Sequence, residues 1–103
     1  MKRLFLLTHM PGDAWLEGKP LTEQPDWRGH ADFMNALADR GFVVLGGPIS
    51  STEALLAIDA ASEDEIRRVF DDDPWHISRV LAIKDIREWT ILLEHGVEHK
   101  TEE

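Results

Sequence analysis

The sequence predicts an α+β fold in which strands and helices follow one another in the order βαββαβ. Short apolar runs of strand length occur at Lys2–Thr8, Phe42–Leu45 and Ala54–Ala60. A helical stripe of apolar residues separates the first two runs, and a helix-capping signal follows the third. At 103 residues the chain is long enough to form one domain with a core of its own.

The first strand, Lys2–Thr8, leads into a long segment, His9–Gln24, that has neither helical nor strand periodicity. A loop of this length in a small domain is usually a lid, a binding loop or a disordered segment. Trp15 in its middle argues against plain disorder, because a large aromatic side chain normally packs against other residues.

The first helix is predicted from Pro25-Asp26 to Arg40, with Gly41 as its C-terminal cap. Its apolar face carries a histidine, His30, among residues spaced by three and four. The residues of this face are Trp27, His30, Phe33, Met34, Leu37 and Ala38.

The second half of the chain supplies the remaining elements. After the strand Phe42–Leu45, the triplet Gly46-Gly47-Pro48 is interpreted primarily as a turn. Ser62–Glu65 is a capping box that begins the second helix. A fourth strand is expected at Ile77–Ile86, followed by a short extra C-terminal strand at Trp89–Leu93.

This order is that of the ferredoxin-like split unit, predicted here as a domain over residues 1–93 with a polar tail over residues 94–103. The predicted strands do not alternate apolar and polar residues, so both faces of the sheet need to be covered. The two helices cover one face, and a second copy of the chain would cover the other. We therefore expect a homodimer with its sheets face to face and a ligand cavity between them.

Composition excludes several classes of function. With no cysteine there is no disulfide, thiolate nucleophile or cysteine-ligated metal site. The net charge of −9 opposes binding to a phosphate backbone, so no nucleic acid partner is expected. The apolar run Leu4–Leu7 is too short for a signal peptide, and no segment reaches the length of a membrane span. We expect a cytoplasmic protein with no membrane partner.

The best chemical clue is a pair of residues far apart in the sequence, His30 and Asp73. Pro74 prevents Asp73 from continuing a helix, which leaves its carboxylate free to point elsewhere. An imidazole on the apolar face of a helix needs a hydrogen-bond partner, and Asp73 is predicted to supply it. A carboxylate would fix the tautomer of His30 and raise its basicity, as a general base requires. The alternative is a core histidine bonded to a backbone carbonyl.

Further residues are candidates for ligand binding, and each has a structural alternative. Glycines let backbone N–H groups approach an anionic oxygen closely, although the same glycines form turns. Tryptophans stack on planar ligands but more often belong to the core. An arginine steadies an oxyanion, and a histidine after the first strand reaches the same cavity. The candidates are His9, Trp15, Gly46, Gly47, Pro48, Trp75 and Arg79.

No metal and no cofactor are predicted. The chain has no phosphate-binding or dinucleotide fingerprint, and Ser50-Ser51 lacks the nucleophile-elbow pattern. His95 and His99 have the spacing of metal ligands on a helix, but Gly96 between them favours a loose terminus. Any catalysis is therefore expected to use imidazole and carboxylate groups.

Several separated motifs make the chain resemble the YCII-related (YciI-like) domain proteins, a group within the dimeric α+β barrel superfamily. The resemblance extends over nearly the whole chain. Asp13 departs from it, because proline or a small residue is expected after Gly12, and this leaves the conformation of the loop open. The motifs are residues 9–15, 23–25, 30–34, Leu37, Gly41, 46–48, 72–75 and 88–91.

The resemblance implies a ferredoxin-like protomer, a dimer with back-to-back sheets and a pocket in which His30 meets Asp73. One similar group removes chloride from a hydroxylated chloroaromatic ring, and wider relatives include muconolactone isomerases and small monooxygenases. We expect cofactor-independent acid–base chemistry, of isomerase or lyase (dehydrochlorinase) type, on a small aromatic or enol-like substrate. The alternatives are a non-catalytic module that binds a small molecule and an accessory protein that serves only dimerisation.

Overall fold

The computed structural model describes residues 2–97. Its strands form one antiparallel four-stranded sheet in the order β2-β3-β1-β4. This order and the chain path confirm the predicted ferredoxin-like α+β fold. A single 3-10 turn, Leu21–Glu23, lies in the loop after the first strand. The elements are β1 Lys2–Pro11, α1 Trp27–Asp39, β2 Val43–Pro48, β3 Ala54–Ile58, α2 Glu63–Phe70, α3 Pro74–Ile77 and β4 Leu81–Ile91.

The last strand differs from its prediction at both ends. β4 runs without a break to Ile91, so the separate strand expected at Trp89–Leu93 was wrong; the long β1 provides partners along the whole length. At the other end, Ile77 belongs to the short helix α3 rather than to a strand, because Asp73 caps this helix and Pro74 occupies its first turn. Residues 98–103 of the predicted tail, including His99, lie outside the described residues.

The Gly46-Gly47-Pro48 triplet is part of β2, so its interpretation as a turn was wrong. Each of its residues is paired with β3, from Gly46 opposite Leu56 to Pro48 opposite Ala54. Backbone pairing extends the strand through residues that by themselves favour turns. The turn follows instead, closed by the N–H of Ile49, which donates to the carbonyl oxygen of Glu53.

The main core lies between the helices and one face of the sheet. Phe5 and Leu7 of β1 pack there against Leu37 of α1 and against Ile66 and Phe70 of α2. Side chains alternate along a strand, so His9 lies on the same face as Phe5 and Leu7, at the end of the core. Within residues 2–97, no helix is long and apolar enough to cross a membrane.

The opposite face of the sheet carries the other half of the strand residues. Leu4 pairs with Trp89 and Leu6 with Arg87, and directly paired residues lie on the same face. Leu45, next to Ala57 of β3, is 70% exposed there. This face therefore presents apolar side chains that α1 and α2 do not cover.

Candidate active site

His30 and Asp73 are in contact, as the sequence predicted. The imidazole Nδ1 of His30 lies 3.0 Å from each carboxylate oxygen of Asp73. α1 carries the histidine, and the turn before α3 carries the aspartate. Because the carboxylate accepts, Nδ1 carries the proton, and the lone pair of neutral His30 is on Nε2.

Asp73 is fully buried, and its position follows from the local sequence. Pro74 begins α3, and the Asp73 side chain caps this helix by accepting from the backbone N–H of Trp75 at 3.0 Å. The same carboxylate thus forms a helix cap and holds His30. A buried carboxylate needs such partners, because an unpaired charge would be costly to desolvate.

Trp75 fixes the plane of the His30 ring. The two rings are stacked, with centroids 4.0 Å apart and planes inclined by 6°. The indole N–H of Trp75 donates to the carbonyl oxygen of Pro25, at the start of α1. His30 is therefore held by a hydrogen bond in its plane and by an aromatic contact on its face.

A cavity of about 590 Å³ lies between α1 and the edge strand β2, and His30 lines it. α1 also contributes Ala31 and Met34, and the β2–β3 hairpin forms the opposite wall. Among residues 2–97 the Nε2 atom of His30 has no hydrogen-bond partner, and Asp85 Oδ1 is the only buried side-chain polar atom there that lacks one. Nε2 is thus open to the cavity, where it is able to accept a proton.

This cavity lies on the helix side of the sheet, within one protomer. The ligand cavity expected between the two sheets of a dimer needs a second copy of the chain and stays a prediction.

Five of the predicted ligand-binding residues line the same cavity. Trp15 reaches it from the loop after β1, and His9 reaches it from β1 itself. Gly46, Gly47 and Pro48 line it from β2. A Cβ atom at Gly46 would lie 2.6 Å from Leu56 Cδ2, so the absence of a side chain keeps this wall open. Their part in ligand binding stays a prediction.

Two other predicted ligand-binding residues lie elsewhere. Trp75 is fully buried behind His30, so it supports the histidine ring and does not face the cavity. Arg79 lines a second pocket of about 520 Å³, with its side chain 77% exposed near Asp13. Its backbone has a positive φ of 66°. The expectation that Arg79 steadies an oxyanion beside His30 was therefore wrong.

His76 is a site residue that the sequence analysis missed. Its Nε2 lies 2.9 Å from Nε2 of His9 and 3.9 Å from Oδ2 of Asp73. Burial and, to a smaller extent, the neighbouring His76 lower the pKa of His9 to about 3, against the opposing effect of Asp73. Burial also lowers the pKa of His76. The sequence signal that could have identified His76 is its position three residues after Asp73, which caps a short helix and faces this side of it.

Gln24 was also missed as a residue that holds the loop. It is buried, and its side chain accepts from the N–H of Leu16 at 2.8 Å. Its amide donates to the carbonyl oxygens of Leu16 and Lys19, each at 3.0 Å. These bonds fix the segment that carries Trp15 against the cavity. A buried glutamine inside a polar loop has no sequence signature of its own.

No family model and no curated protein matches this sequence. Among solved structures, the chain is similar to 5-chloro-2-hydroxyhydroquinone dehydrochlorinase (TftG) from Burkholderia phenoliruptrix AC1100, in complex with 2,5-dihydroxybenzoquinone. The two chains are 17% identical with a TM-score of 0.56, over 89% of this chain and 95% of that one. The likeness establishes a shared ferredoxin-like α+β fold, and membership in the dimeric α+β barrel superfamily stays a prediction. Membership in the narrower YCII-related group stays a prediction.

Proposed function

We propose that this chain is a small-molecule enzyme that performs cofactor-independent acid–base chemistry with His30 as the general base. The observation that carries the proposal is the orientation of His30. Asp73 holds Nδ1, Trp75 fixes the ring plane, and Nε2 opens into the cavity without a protein partner. A histidine that served only the core would have both nitrogens satisfied or shielded.

The first step is proton transfer from an acidic carbon or a ring hydroxyl of the substrate to Nε2. The bonding electron pair stays on the substrate as an enolate or phenolate. Asp73 stabilises the imidazolium that forms, because its carboxylate already accepts from Nδ1. An enolate then expels an anionic leaving group from the β carbon, which makes the reaction an elimination. A phenolate first takes a proton back at the ring carbon that carries the leaving group, and this group then departs while a second ring hydroxyl loses its proton, so that a quinone forms. If the anion only takes a proton back at another atom, the reaction is an isomerisation.

The cavity supports a small planar substrate. Its volume of about 590 Å³ lies within the range of small-molecule sites, and apolar side chains such as Met34 and Leu21 contribute much of its wall. The similar solved structure is named a dehydrochlorinase and contains a dihydroxybenzoquinone, which favours the elimination and a hydroxylated ring.

The test is the variant His30→Asn. Asparagine places an amide N–H near the position of Nδ1, so it keeps the bond to Asp73, but it has nothing in place of Nε2. Turnover of hydroxylated chloroaromatic or enol-lactone substrates should fall by about 10²–10⁴-fold. The melting temperature and the affinity for 2,5-dihydroxybenzoquinone should change little.

A matched control is His95→Asn, because His95 is exposed and lies after β4. It should leave turnover unchanged. Equal turnover in His30→Asn and wild type, with normal ligand binding, would support the alternative of a non-catalytic binding module. A lower melting temperature with a proportionate loss of turnover would instead assign His30 to the core.

We further propose that the protein acts as a homodimer that packs the open faces of its sheets together. Leu45 and Trp89 expose apolar surface on this face, and Asp85 of the same face has a buried oxygen without a partner in residues 2–97. A second copy of the chain would cover this apolar surface and would supply hydrogen-bond donors to the buried oxygen of Asp85. Light scattering should give the mass of a dimer at micromolar concentration, and Trp89→Glu should shift it towards the monomer.

A further inference from the structure

The ring nitrogens of His9 and His76 are close enough to share one proton. Their Nε2 atoms lie 2.9 Å apart, which is a hydrogen-bond distance between two ring nitrogens. One Nε2 must therefore carry the proton and the other must accept it. Burial keeps both rings neutral, because it lowers the pKa of each.

The charge of Asp73 favours His76 as the donor. Its Oδ2 lies 3.9 Å from Nε2 of His76, and a nearby negative charge favours a proton on that nitrogen. His76 therefore donates, and His9 accepts through Nε2. A neutral imidazole with a bare Nε2 carries its proton on Nδ1. His9 thus has a free N–H at Nδ1.

This N–H has no protein acceptor within residues 2–97, and His9 lines the cavity of His30. Asp85 Oδ1 is the only unpartnered buried polar side-chain atom of that region, so Nδ1 of His9 is open to the space in the cavity. The cavity therefore contains one bare ring nitrogen, from His30, and one ring N–H, from His9.

We propose that His9 binds the anionic oxygen of the ligand through its Nδ1–H, and that His76 is the positioning residue that sets this tautomer. The inference rests on the proposed function, since removal of a proton by His30 creates the anion. It assigns the substrate class more closely: a planar molecule whose phenol or enol oxygen reaches His9 while the acidic atom faces His30.

The chemistry suits a neutral imidazole. In an apolar cavity, a donor that is already oriented stabilises a developing oxyanion without the cost of burying a second charge. Arg79 is too distant for this purpose, because it lines the other pocket. His9 also stays neutral near pH 7, since burial lowers its pKa to about 3.

The first test needs no substrate. Nitrogen-15 NMR of the histidine rings in the wild-type protein at neutral pH should show His9 protonated at Nδ1 and bare at Nε2. A coupling across the hydrogen bond should connect its Nε2 to Nε2 of His76. The opposite tautomer of His9, or a doubly protonated ring, would overturn the proposal. His76→Phe should release His9 into a mixture of tautomers.

The second test compares two variants of His9 with 2,5-dihydroxybenzoquinone and 4-nitrophenol as coloured probes. Asparagine places an amide near the position of Nδ1 and keeps a donor in the cavity, whereas glutamine reaches the position of Nε2 and keeps only the contact with His76. His9→Gln should weaken binding of the probe anions by about 10–100-fold, and His9→Asn should retain most of the affinity. Equal affinity of His9→Gln and wild type would contradict the inference.

These measurements separate the inference from the proposed function. If His30→Asn leaves turnover intact while the tautomer and the probe affinities follow the expectation, His30 is not the general base but His9 still binds the anion. If turnover depends on His30 but the probes bind His9→Gln normally, the base stands and His9 has no part in anion binding. If His30 is the base and His9 binds the anion, turnover of His9→Gln should fall by about 10²–10³-fold.

Discussion

The indole of Trp75 lies flat on the imidazole of His30, with ring centroids 4.0 Å apart. The tryptophan is fully buried, and its N–H donates to the carbonyl oxygen of Pro25. It links α3 to the start of α1, so the stack joins the two elements that carry His30 and Asp73.

Trp75→Phe should therefore separate positioning from folding. Phenylalanine keeps an aromatic face but loses the N–H bond and leaves a small gap, which should cost about 1–3 kcal/mol of unfolding free energy. Urea denaturation measures this cost. His30 should keep its bond to Asp73 but gain freedom in its ring plane, so turnover should fall more than probe binding. Phe42→Leu in the main core is the control, because Phe42 is buried away from the stack, and a similar loss of turnover there would contradict the role of the stack.

Asp73→Asn tests the charge of the carboxylate. The amide oxygen is still able to accept from the N–H of Trp75, so α3 should retain its cap. The amide N–H competes for Nδ1 of His30 and favours the wrong tautomer, as in other histidine–carboxylate pairs. We expect turnover to fall by about 10³–10⁴-fold with a small change in melting temperature. Asp72→Asn, on the exposed neighbour, should be silent in both measurements.

The stability of the protein should decrease as the pH falls below about 6.5. In the folded state burial lowers the pKa of His9 to about 3, whereas an unfolded histidine titrates at its ordinary value of 6.5. The unfolded chain therefore binds more protons between these values, so protons favour unfolding. His76, Asp73 and His30 face His9, and of these His76 also has a lowered pKa and acts in the same direction.

Each such histidine contributes a slope of up to about 1.4 kcal/mol per pH unit in this window. Denaturation of wild type and His9→Gln at several pH values measures the difference between their slopes. Surface carboxylates affect both proteins equally, so their contribution cancels in this difference. The variant should show the shallower slope between about pH 6 and pH 4. Parallel slopes in the two proteins would mean that His9 is protonated as readily in the folded state as in the unfolded chain.

Gly12 is expected to tolerate no side chain. A Cβ atom there would lie 2.2 Å from the carbonyl oxygen of Arg79, and that backbone is held by bonds from Gly12 and Ala14 to Val80 and Arg79. Gly12→Ala should lower the free energy of unfolding by about 1–3 kcal/mol or more, as overpacking of a fixed backbone does. Gly47→Ala is the matched control, because nothing lies within 4 Å of a Cβ at that position. Thermal denaturation of both variants measures the contrast.

The contact between His30 and Asp73 was predictable because each residue had a local reason to face inward. The apolar stripe directs His30 towards the core, and Pro74 prevents Asp73 from continuing a helix. His76 was not predictable, because its partner His9 lies on a strand distant in sequence and only the folded chain brings their rings together.

The errors along the chain have the same physical origin. Gly46-Gly47-Pro48 has the local chemistry of a turn, but pairing with β3 keeps it extended. Arg79 has an ordinary sequence context, yet its carbonyl oxygen accepts from the N–H of Ala14 and its side chain lines the other pocket. In both cases a tertiary contact overrides a local preference that the sequence expresses correctly.

The bonds of Gln24 have a consequence for how a ligand reaches the cavity. They attach the segment around Leu16 and Lys19 by its backbone, so we expect this side of the cavity to stay closed. We expect ligands to enter and leave at the opposite rim, where the short turn Ile49–Glu53 borders the cavity without any bond to α1 among the described residues. Exchanging the residues of this turn is thus a route to altering which molecules are admitted, and how quickly they leave, while the histidines and Asp73 stay in place.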